Sequence, residues 1–387
     1  MNFAFSEEQE ELRKVAADFL TNKSSEAEVR RLMETEDGYD PAVWSQMAEQ
    51  LGLQGLAIPE EFGGSGYSYV ELCVIFEEMG RRLLCAPFFS TVALAANALL
   101  QSDDAAAKAE YLPGIASGET IATVAFTEEN GRWDESGIEM EAATSGDGHT
   151  LSGTKSYVID GHLASLIIVA ARTSEGVSLF AVDGDASGLT RTSLSTMDQT
   201  RKQAKLDFDA TPGKLIGAAG GGWHTLTKML QLAVVALASE QMGGAQECLD
   251  SAVQYAKDRV QFGRPIGSFQ AIKHKLADML VDLEHARSTA YHAVWALTDG
   301  SDDPALAVSI AQATSSAAFS RIAADTIQVH GGIGFTWEHQ AHLYFKRATT
   351  DAALLGSAEQ HRNRVAELVL DTAIRDGAVR VADGLPA

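Results

Sequence analysis

The run Gly217-Ala218-Ala219-Gly220-Gly221-Gly222 leads directly into Trp223-His224-Thr225-Leu226-Thr227-Lys228-Met229-Leu230-Gln231-Leu232-Ala233-Val234-Val235-Ala236-Leu237, and the texture of the chain changes there. Beyond the glycines, Leu226, Met229, Leu230, Ala233 and Leu237 fall at i, i+3, i+4, i+7 and i+11, an apolar stripe of helical period. Before them, residues 121–126, 150–159, 166–171, 177–182 and 203–208 are short β-leaning runs. Gly-, Asp- and Ser-rich turns such as Ser145-Gly146-Asp147-Gly148 and Asp183-Gly184-Asp185 separate them. No long helical segment lies between these runs, so the pattern predicts a small antiparallel sheet rather than parallel βαβ units. The glycine run lacks both the GxGxxG spacing and a following GK[ST], and it reads as an interdomain hinge, with direct phosphate contact as the alternative.

Working outward, the C-terminal side predicts helices over 223–259, 269–298, 304–329 and a shorter one near 360–376. The third is rich in small residues (Ala311, Ala313, Ser315, Ser316, Ala317, Ala318, Ala323, Ala324), which let helix axes approach closely. Residues 381–387 read as a frayed tail. On the N-terminal side, Ser6-Glu7-Glu8-Gln9 carries a cap and an acidic first turn, followed by Leu12, Val15, Phe19 and Leu20 at helical spacing. Further helices are predicted through Val70–Gly80 and over 93–100. The expected architecture is α+β and multidomain. A helical N-terminal domain spans 1–120, a central antiparallel β domain 121–216, and a C-terminal four-helix domain 217–387.

The 387 residues carry 30 Lys+Arg against 53 Asp+Glu, a net charge of −23 that disfavours a broad nucleic-acid or anionic-membrane surface. One phosphate-rich ligand held in a local basic pocket stays compatible with that charge. Cys73, Cys85 and Cys248 stand far apart, which fits a reducing compartment and neither a disulfide framework nor a zinc site. No signal-peptide pattern opens the sequence and its apolar runs are too short for a bilayer span, so a soluble cytoplasmic protein is expected. His274, His330, His339 and His342 show no metal-ligand spacing.

Two segments carry chemistry. In Tyr255-Ala256-Lys257-Asp258-Arg259-Val260-Gln261-Phe262-Gly263-Arg264-Pro265-Ile266-Gly267-Ser268-Phe269-Gln270, a helix ends, a glycine-proline turn follows, and a new helix opens. Arginines at such a break can make bidentate bonds to phosphate oxygens, and Phe262 offers a flat face to a ring. In Gln328-Val329-His330-Gly331-Gly332-Ile333-Gly334-Phe335, a helix ends in Gly-Gly, bare backbone that a ligand can approach. Together with Leu51-Gly52-Leu53, Ile58-Pro59-Glu60-Glu61-Phe62-Gly63-Gly64 and Glu77-Glu78-Met79-Gly80-Arg81, these segments resemble the signature motifs of the acyl-CoA dehydrogenase family. The resemblance covers nearly the whole chain, including the helix–β–helix order.

That resemblance implies FAD as cofactor and α,β-dehydrogenation of an acyl-CoA thioester, with electrons passed to an electron-transfer flavoprotein. It implies that Arg259, Gln261, Phe262 and Gln270 contact the pyrophosphate and adenosine part of the FAD of a neighbouring subunit. Gln328, Gly331 and Gly332 are implied as the matching strip. Phe126-Thr127-Glu128 and Ser156-Tyr157-Val158 fall where the family touches the flavin ring, with Tyr157 in place of the usual tryptophan.

Two departures stand out. The family's Pro-Gly-containing loop is replaced by Thr127-Glu128-Glu129-Asn130-Gly131-Arg132-Trp133. The reaction also needs a base over the thioester α-carbon. The position that usually holds this glutamate is Leu355 here, or Gly356 in an ungapped alignment, and the alternative family position is Ala233. Glu240, two helical turns beyond Ala233, is the nearest substitute base, with a buried ion pair as its other reading; Asp351 is a second candidate. The absence of both glutamates and the ending Leu354-Leu355-Gly356-Ser357…His361-Arg362 resemble one subunit of the paired α2β2 acyl-CoA dehydrogenases of bacterial sterol side-chain degradation. Three functions are therefore carried forward. They are a flavoenzyme in a homotetramer or α2β2 heterotetramer, a non-catalytic partner subunit completing a composite FAD site, and a flavin-free acyl-CoA-binding protein.

Overall fold

A computed structural model describes residues 5–145, 148–300 and 302–375. The expected tail at 381–387 and part of the turn at 145–148 lie outside the described residues. The first helix, α1 (Glu7–Lys23), opens on a capping box: the Ser6 hydroxyl accepts from Gln9 N, and the Gln9 side chain accepts from Ser6 N at 2.9 Å. There follow α2 (Glu26–Met33), α3 (Pro41–Glu49), α4 (Tyr69–Arg81), a π-helical stretch Phe89–Ala96 continuing into α5 (Asn97–Gln101), and α6 (Ala105–Ala116). The helix expected over 93–100 thus begins earlier and with a wider turn.

The central part contains β1 (Ala122–Ala125), β2 (Glu141–Ser145), β3 (Gly148–Ile159), β4 (Leu166–Thr173), β5 (Gly176–Asp183), β6 (Leu189–Ser193) and β7 (Gln203–Ile216). Along the sheet the order is β1-β4-β2-β3-β7-β5, with β6 on β7 and β4 also paired to β5, so that five strands close on themselves. Pairing is antiparallel except that β1 runs parallel to β4, with one parallel contact between β2 and β4. Short β2 and β6 escaped the sequence reading, because neither carries a run of apolar residues. Inside the closed strands Leu151, Val169, Phe180 and Leu206 form a core of their own.

The glycine run is a tied turn rather than a loose hinge. Gly217 N donates to Asp104 at 2.9 Å and Gly220 N to Ser178 Oγ at 2.8 Å. From it rises α7 (Gly222–Asp258), 37 residues long. A small hairpin, β8 (Val260–Gln261) and β9 (Arg264–Pro265), turns the chain into α8 (Gln270–Asp299), followed by α9 (Pro304–His330), α10 (Ala341–Asp351) and α11 (Ala358–Arg375). Four of these are the expected helices, and α10 is a short addition. Helices α4 and α7 cross at backbone contact: a Cβ at Gly80 would lie 1.9 Å from the Glu240 carbonyl oxygen, and one at Gly243 1.8 Å from that of Glu77. Only glycine permits this approach. It brings the N-terminal helices against the C-terminal ones and sets Glu240 at the junction.

Candidate active site

The junction holds a buried ion cluster drawn from three segments. Asp198, Thr200 and Arg201 come from the loop between β6 and β7, Glu240 from α7, and Arg347 and Asp351 from α10. Arg201 Nη2 donates to Glu240 Oε1 at 2.5 Å and its Nη1 to Asp351 Oδ1 at 3.1 Å. Arg347 donates to Asp198 at 2.6 Å, to Thr200 Oγ1 at 2.6 Å, and also to Glu240. Burial alone would raise the Glu240 carboxyl, but the two guanidiniums outweigh it and hold the pKa below the usual range. Two cations face three carboxylates, so one acid is in excess. Asp351, fully buried with Oδ2 unpartnered, is that acid, and burial pushes its pKa up to about 7.

Of the two readings of Glu240, the buried ion pair describes its surroundings. Its carboxylate is spent on Arg201 and Arg347, its proton affinity is depressed, and it borders a separate void of about 20 Å³. Asp351 lies in the same cluster and is equally committed to the junction.

A different cavity, of about 290 Å³, is lined by Leu355 and Gly356, the two positions at which the resemblance leads one to expect the family's base. Trp133, Trp223, Leu230, Val234 and Val308 supply much of its apolar wall. Ala233, the other family position, is fully buried on α7 beside Val234. No carboxylate lines this cavity among the described residues, and its titratable base is His361. The His361 ring donates from Nε2 to the Leu355 carbonyl at 3.0 Å, a tautomer set by that acceptor. Burial lowers its pKa and keeps it neutral. Leu355 and Gly356 both have positive φ, 59° and 101°, and a Cβ at Gly356 would lie 2.9 Å from His361 Nε2. A side chain at Gly356 would therefore run into the His361 imidazole.

Sequence reasoning missed Trp133, Trp223 and His361 as neighbours of one cavity. Trp133 belongs to the loop that departs from the family pattern, and it packs edge-on against Phe126 at 5.5 Å. That departure was the available signal.

The residues expected to hold a cofactor form two groups, and no hydrogen bond joins them among the described residues. In the β domain, Thr127 is buried and its hydroxyl donates to the Ser156 carbonyl at 2.6 Å, while Ser156 N donates back to the Thr127 carbonyl at 2.9 Å. This lashing sets the neighbouring Tyr157 outward with φ 58° and 57% of its surface exposed, and Val158 inward. Glu128 anchors the same corner by accepting from the fully buried Lys155 at 2.6 Å and from Glu139 N and Met140 N. In the other group, Arg259, Gln261, Phe262 and Gln270 lie exposed around the β8–β9 hairpin, with Phe262 92% exposed. Gln328, Gly331 and Gly332 are exposed at the end of α9, and a Cβ at either glycine would meet nothing within 4 Å.

These donor sets fit a flavin dinucleotide. An uncommitted guanidinium at Arg259 and exposed amides suit a pyrophosphate, bare backbone suits close approach, and exposed rings at Phe262 and Tyr157 suit aromatic faces. Among the described residues no group of three or more His, Cys, Asp or Glu is placed to hold a metal ion, and no helix is long and apolar enough to cross a membrane.

Residues 6–119, 123–211 and 220–370 match the N-terminal, middle and C-terminal domains of acyl-CoA dehydrogenases. Acyl-CoA dehydrogenase IpdE2 of Mycolicibacterium smegmatis is 37% identical over 360 residues, covering 93% of this chain and 98% of the relative. The chain belongs to the acyl-CoA dehydrogenase family. Among solved acyl-CoA dehydrogenase folds, a variant of the Tcur3481–Tcur3483 steroid ACAD superposes with a TM-score of 0.86 at 32% identity, covering 95% of this chain and 99% of that one. The ChsE4–ChsE5 complex from Mycobacterium tuberculosis superposes with a TM-score of 0.87 at 28% identity, covering 95% and 99%. As a member of this family the chain is an oxidoreductase.

Proposed function

We propose that this chain builds the site of an FAD-dependent acyl-CoA dehydrogenase, which converts an acyl-CoA thioester to the 2-enoyl-CoA and passes electrons to an electron-transfer flavoprotein. The observation that carries the reading is one cavity, walled by indoles and aliphatic side chains, onto which the family's base positions Leu355 and Gly356 open. The chemistry that a bound FAD would supply is that of a hydride acceptor for the acyl β-carbon. The chain's own residues do the rest. Thr127 and Ser156 fix the backbone that presents Tyr157 and Val158, and the apolar wall excludes water from the acyl group. Arg259, Gln261, Gln270 and Gln328 would hold the cofactor's polar end, with Phe262, Gly331 and Gly332 beside it.

A second reading has an observation of its own. The α-proton must pass to a base, and no carboxylate lines the cavity among the described residues. A non-catalytic subunit that completes the FAD site of an α2β2 heterotetramer needs no base of its own, and the solved relatives include one described as a ChsE4–ChsE5 complex. The chain expressed alone decides between the two. A yellow homotetramer that reduces a dye with an acyl-CoA supports the stand-alone enzyme. Colourless protein that gains flavin and activity only when co-expressed with a paralogous subunit supports the composite site, and failure to take up flavin in either state removes both.

A further inference from the structure

Away from the cavity, the end of α9 carries a cluster of rings that takes no part in the reaction. His330, the last residue of α9, is buried. Its ring lies 4.4 Å from that of Tyr255 on α7 and 4.2 Å from that of His339, centre to centre. The turn Gly331–Phe335 folds back over it, and a Cβ at Gly334 would lie 2.8 Å from the His330 Cβ. Backbone partners set both tautomers. His330 Nδ1 donates to the Thr326 carbonyl at 2.8 Å, which leaves Nε2 as an acceptor 3.5 Å from Ser251 Oγ. His339 Nδ1 instead accepts from Ala341 N, at the first residue of α10, at 3.1 Å. Each ring is neutral as it stands.

Tyr255 leads into the hairpin that bears Arg259 and Gln261, and Gln328, Gly331 and Gly332 flank His330. Their ring contact therefore ties together the two halves of the exposed strip suited to a dinucleotide. Resting on the FAD-dependent reading, we propose that Tyr255, His330 and His339 are positioning residues that hold this strip in register for the cofactor, and that protonation of the paired imidazoles releases it. A proton on His339 Nδ1 would face the Ala341 N–H, donor against donor, and a second on His330 would set two cations side by side. The surrounding groups do not offset this. Glu26 and Arg30 of α2 face His339 but pair with each other at 2.8 Å, and His342 faces the same two residues and Lys346. Ser251, Tyr255 and Thr326 bring no charge to His330. Burial holds both histidines below their ordinary range. The closed strip thus binds fewer protons than the released one and weakens as pH falls through that range.

The test is dilution of the FAD-loaded protein, in its assembled oligomer and with its co-expressed partner subunit if it has one. Freed flavin is read by its fluorescence at about pH 8 and about pH 5.5, on either side of the histidine range. FAD is expected to bind about tenfold more weakly at the lower pH, the scale of one buried hydrogen bond turned to opposition. His339→Asn keeps an oxygen acceptor for Ala341 N but takes no proton, and should shrink that ratio to about twofold or less. Tyr255→Leu removes the ring contact and should weaken FAD at both pH values, whereas Tyr255→Phe, which keeps a ring, should weaken it less. A pH ratio near one in the unmodified protein, a ratio that survives His339→Asn, or equal losses in the two Tyr255 variants overturns this inference and leaves the flavoprotein reading standing. Protein that carries no flavin at either pH removes that reading, and the inference falls with it.

Discussion

Arg201 and Arg347 both donate to the carboxylate of Glu240, and through that one side chain the β6–β7 loop, α7 and α10 are held together. The arrangement looks costly, because several charges have left water. It is compensated by geometry, since each guanidinium also reaches a second carboxylate, Asp351 or Asp198.

Glu240→Gln should therefore act on stability rather than chemistry. Removing one partner of a buried ion pair leaves cations uncompensated and costs about 3 kcal/mol or more. Thermal unfolding of the holoprotein should show the loss, while turnover per folded molecule stays within about twofold of the unmodified protein. A folded variant with turnover abolished would instead return Glu240 to proton transfer.

The excess acid makes this junction pH-sensitive. Burial raises Asp351 to about 7 and Asp160, which accepts from Ser90 at 2.7 Å, to about 6. An acid whose folded-state pKa exceeds its unfolded value binds more protons when folded, so its contribution is fully present below the unfolded pKa and declines as pH rises to the folded one. Between about pH 4 and 7 these two groups lower stability with rising pH, by at most about 1.4 kcal/mol per pH unit each. Glu240 and Asp198, held low by Arg347 and its neighbours after burial is overcome, work in the opposite sense only at more acid pH. Asp351→Asn mimics the protonated acid. Its melting temperature should fall less than that of the unmodified protein between pH 5 and 7.5, and parallel curves would place the proton elsewhere.

The parts legible in the sequence share a physical cause: they are local and periodic. The stripe Leu226, Met229, Leu230, Ala233, Leu237 announces α7 because a helix buries one face, and the Ser6 cap announces α1 because four N–H groups there need acceptors. The cluster of Arg201, Glu240, Arg347 and Asp351 was not legible, since its members come from distant segments and none is out of place in its own. Asp351 looked like a spare acid near the base position, and its burial is set wholly by tertiary packing. His361 was visible only as part of a tail motif. Its placement against Gly356 depends on the consecutive positive-φ residues Leu355 and Gly356, and leucine gives no sign of such a conformation.

Gly356→Ala tests that turn. With φ at 101° and His361 Nε2 2.9 Å from the added Cβ, both backbone strain and contact oppose the methyl group. A strained backbone position costs about 1–3 kcal/mol. Adding His361→Ala should relieve the contact but not the strain, so the double variant is expected to recover part of the melting temperature lost by the single one. Full recovery would mean that the imidazole alone demands glycine here, and no recovery would mean that the backbone alone does.

Arg259 and Arg264 stand on the same hairpin connection, but only Arg264 is engaged, with its guanidinium 4.1 Å from the centre of the Phe269 ring. The Arg259 side chain has no hydrogen-bond or ion-pair partner among the described residues, and its backbone carbonyl accepts from Ile266 N at 2.7 Å, which fixes where the side chain departs. If Arg259 serves the cofactor's pyrophosphate, Arg259→Ala removes a charge-assisted contact worth about 1.5–3 kcal/mol, or roughly tenfold to a hundredfold in FAD affinity. Arg264→Ala should instead loosen the hairpin and weaken FAD less. Flavin absorbance retained per polypeptide after gel filtration measures both, in the assembled oligomer. Equal losses would show that the hairpin's shape, rather than the Arg259 charge, is what the cofactor needs.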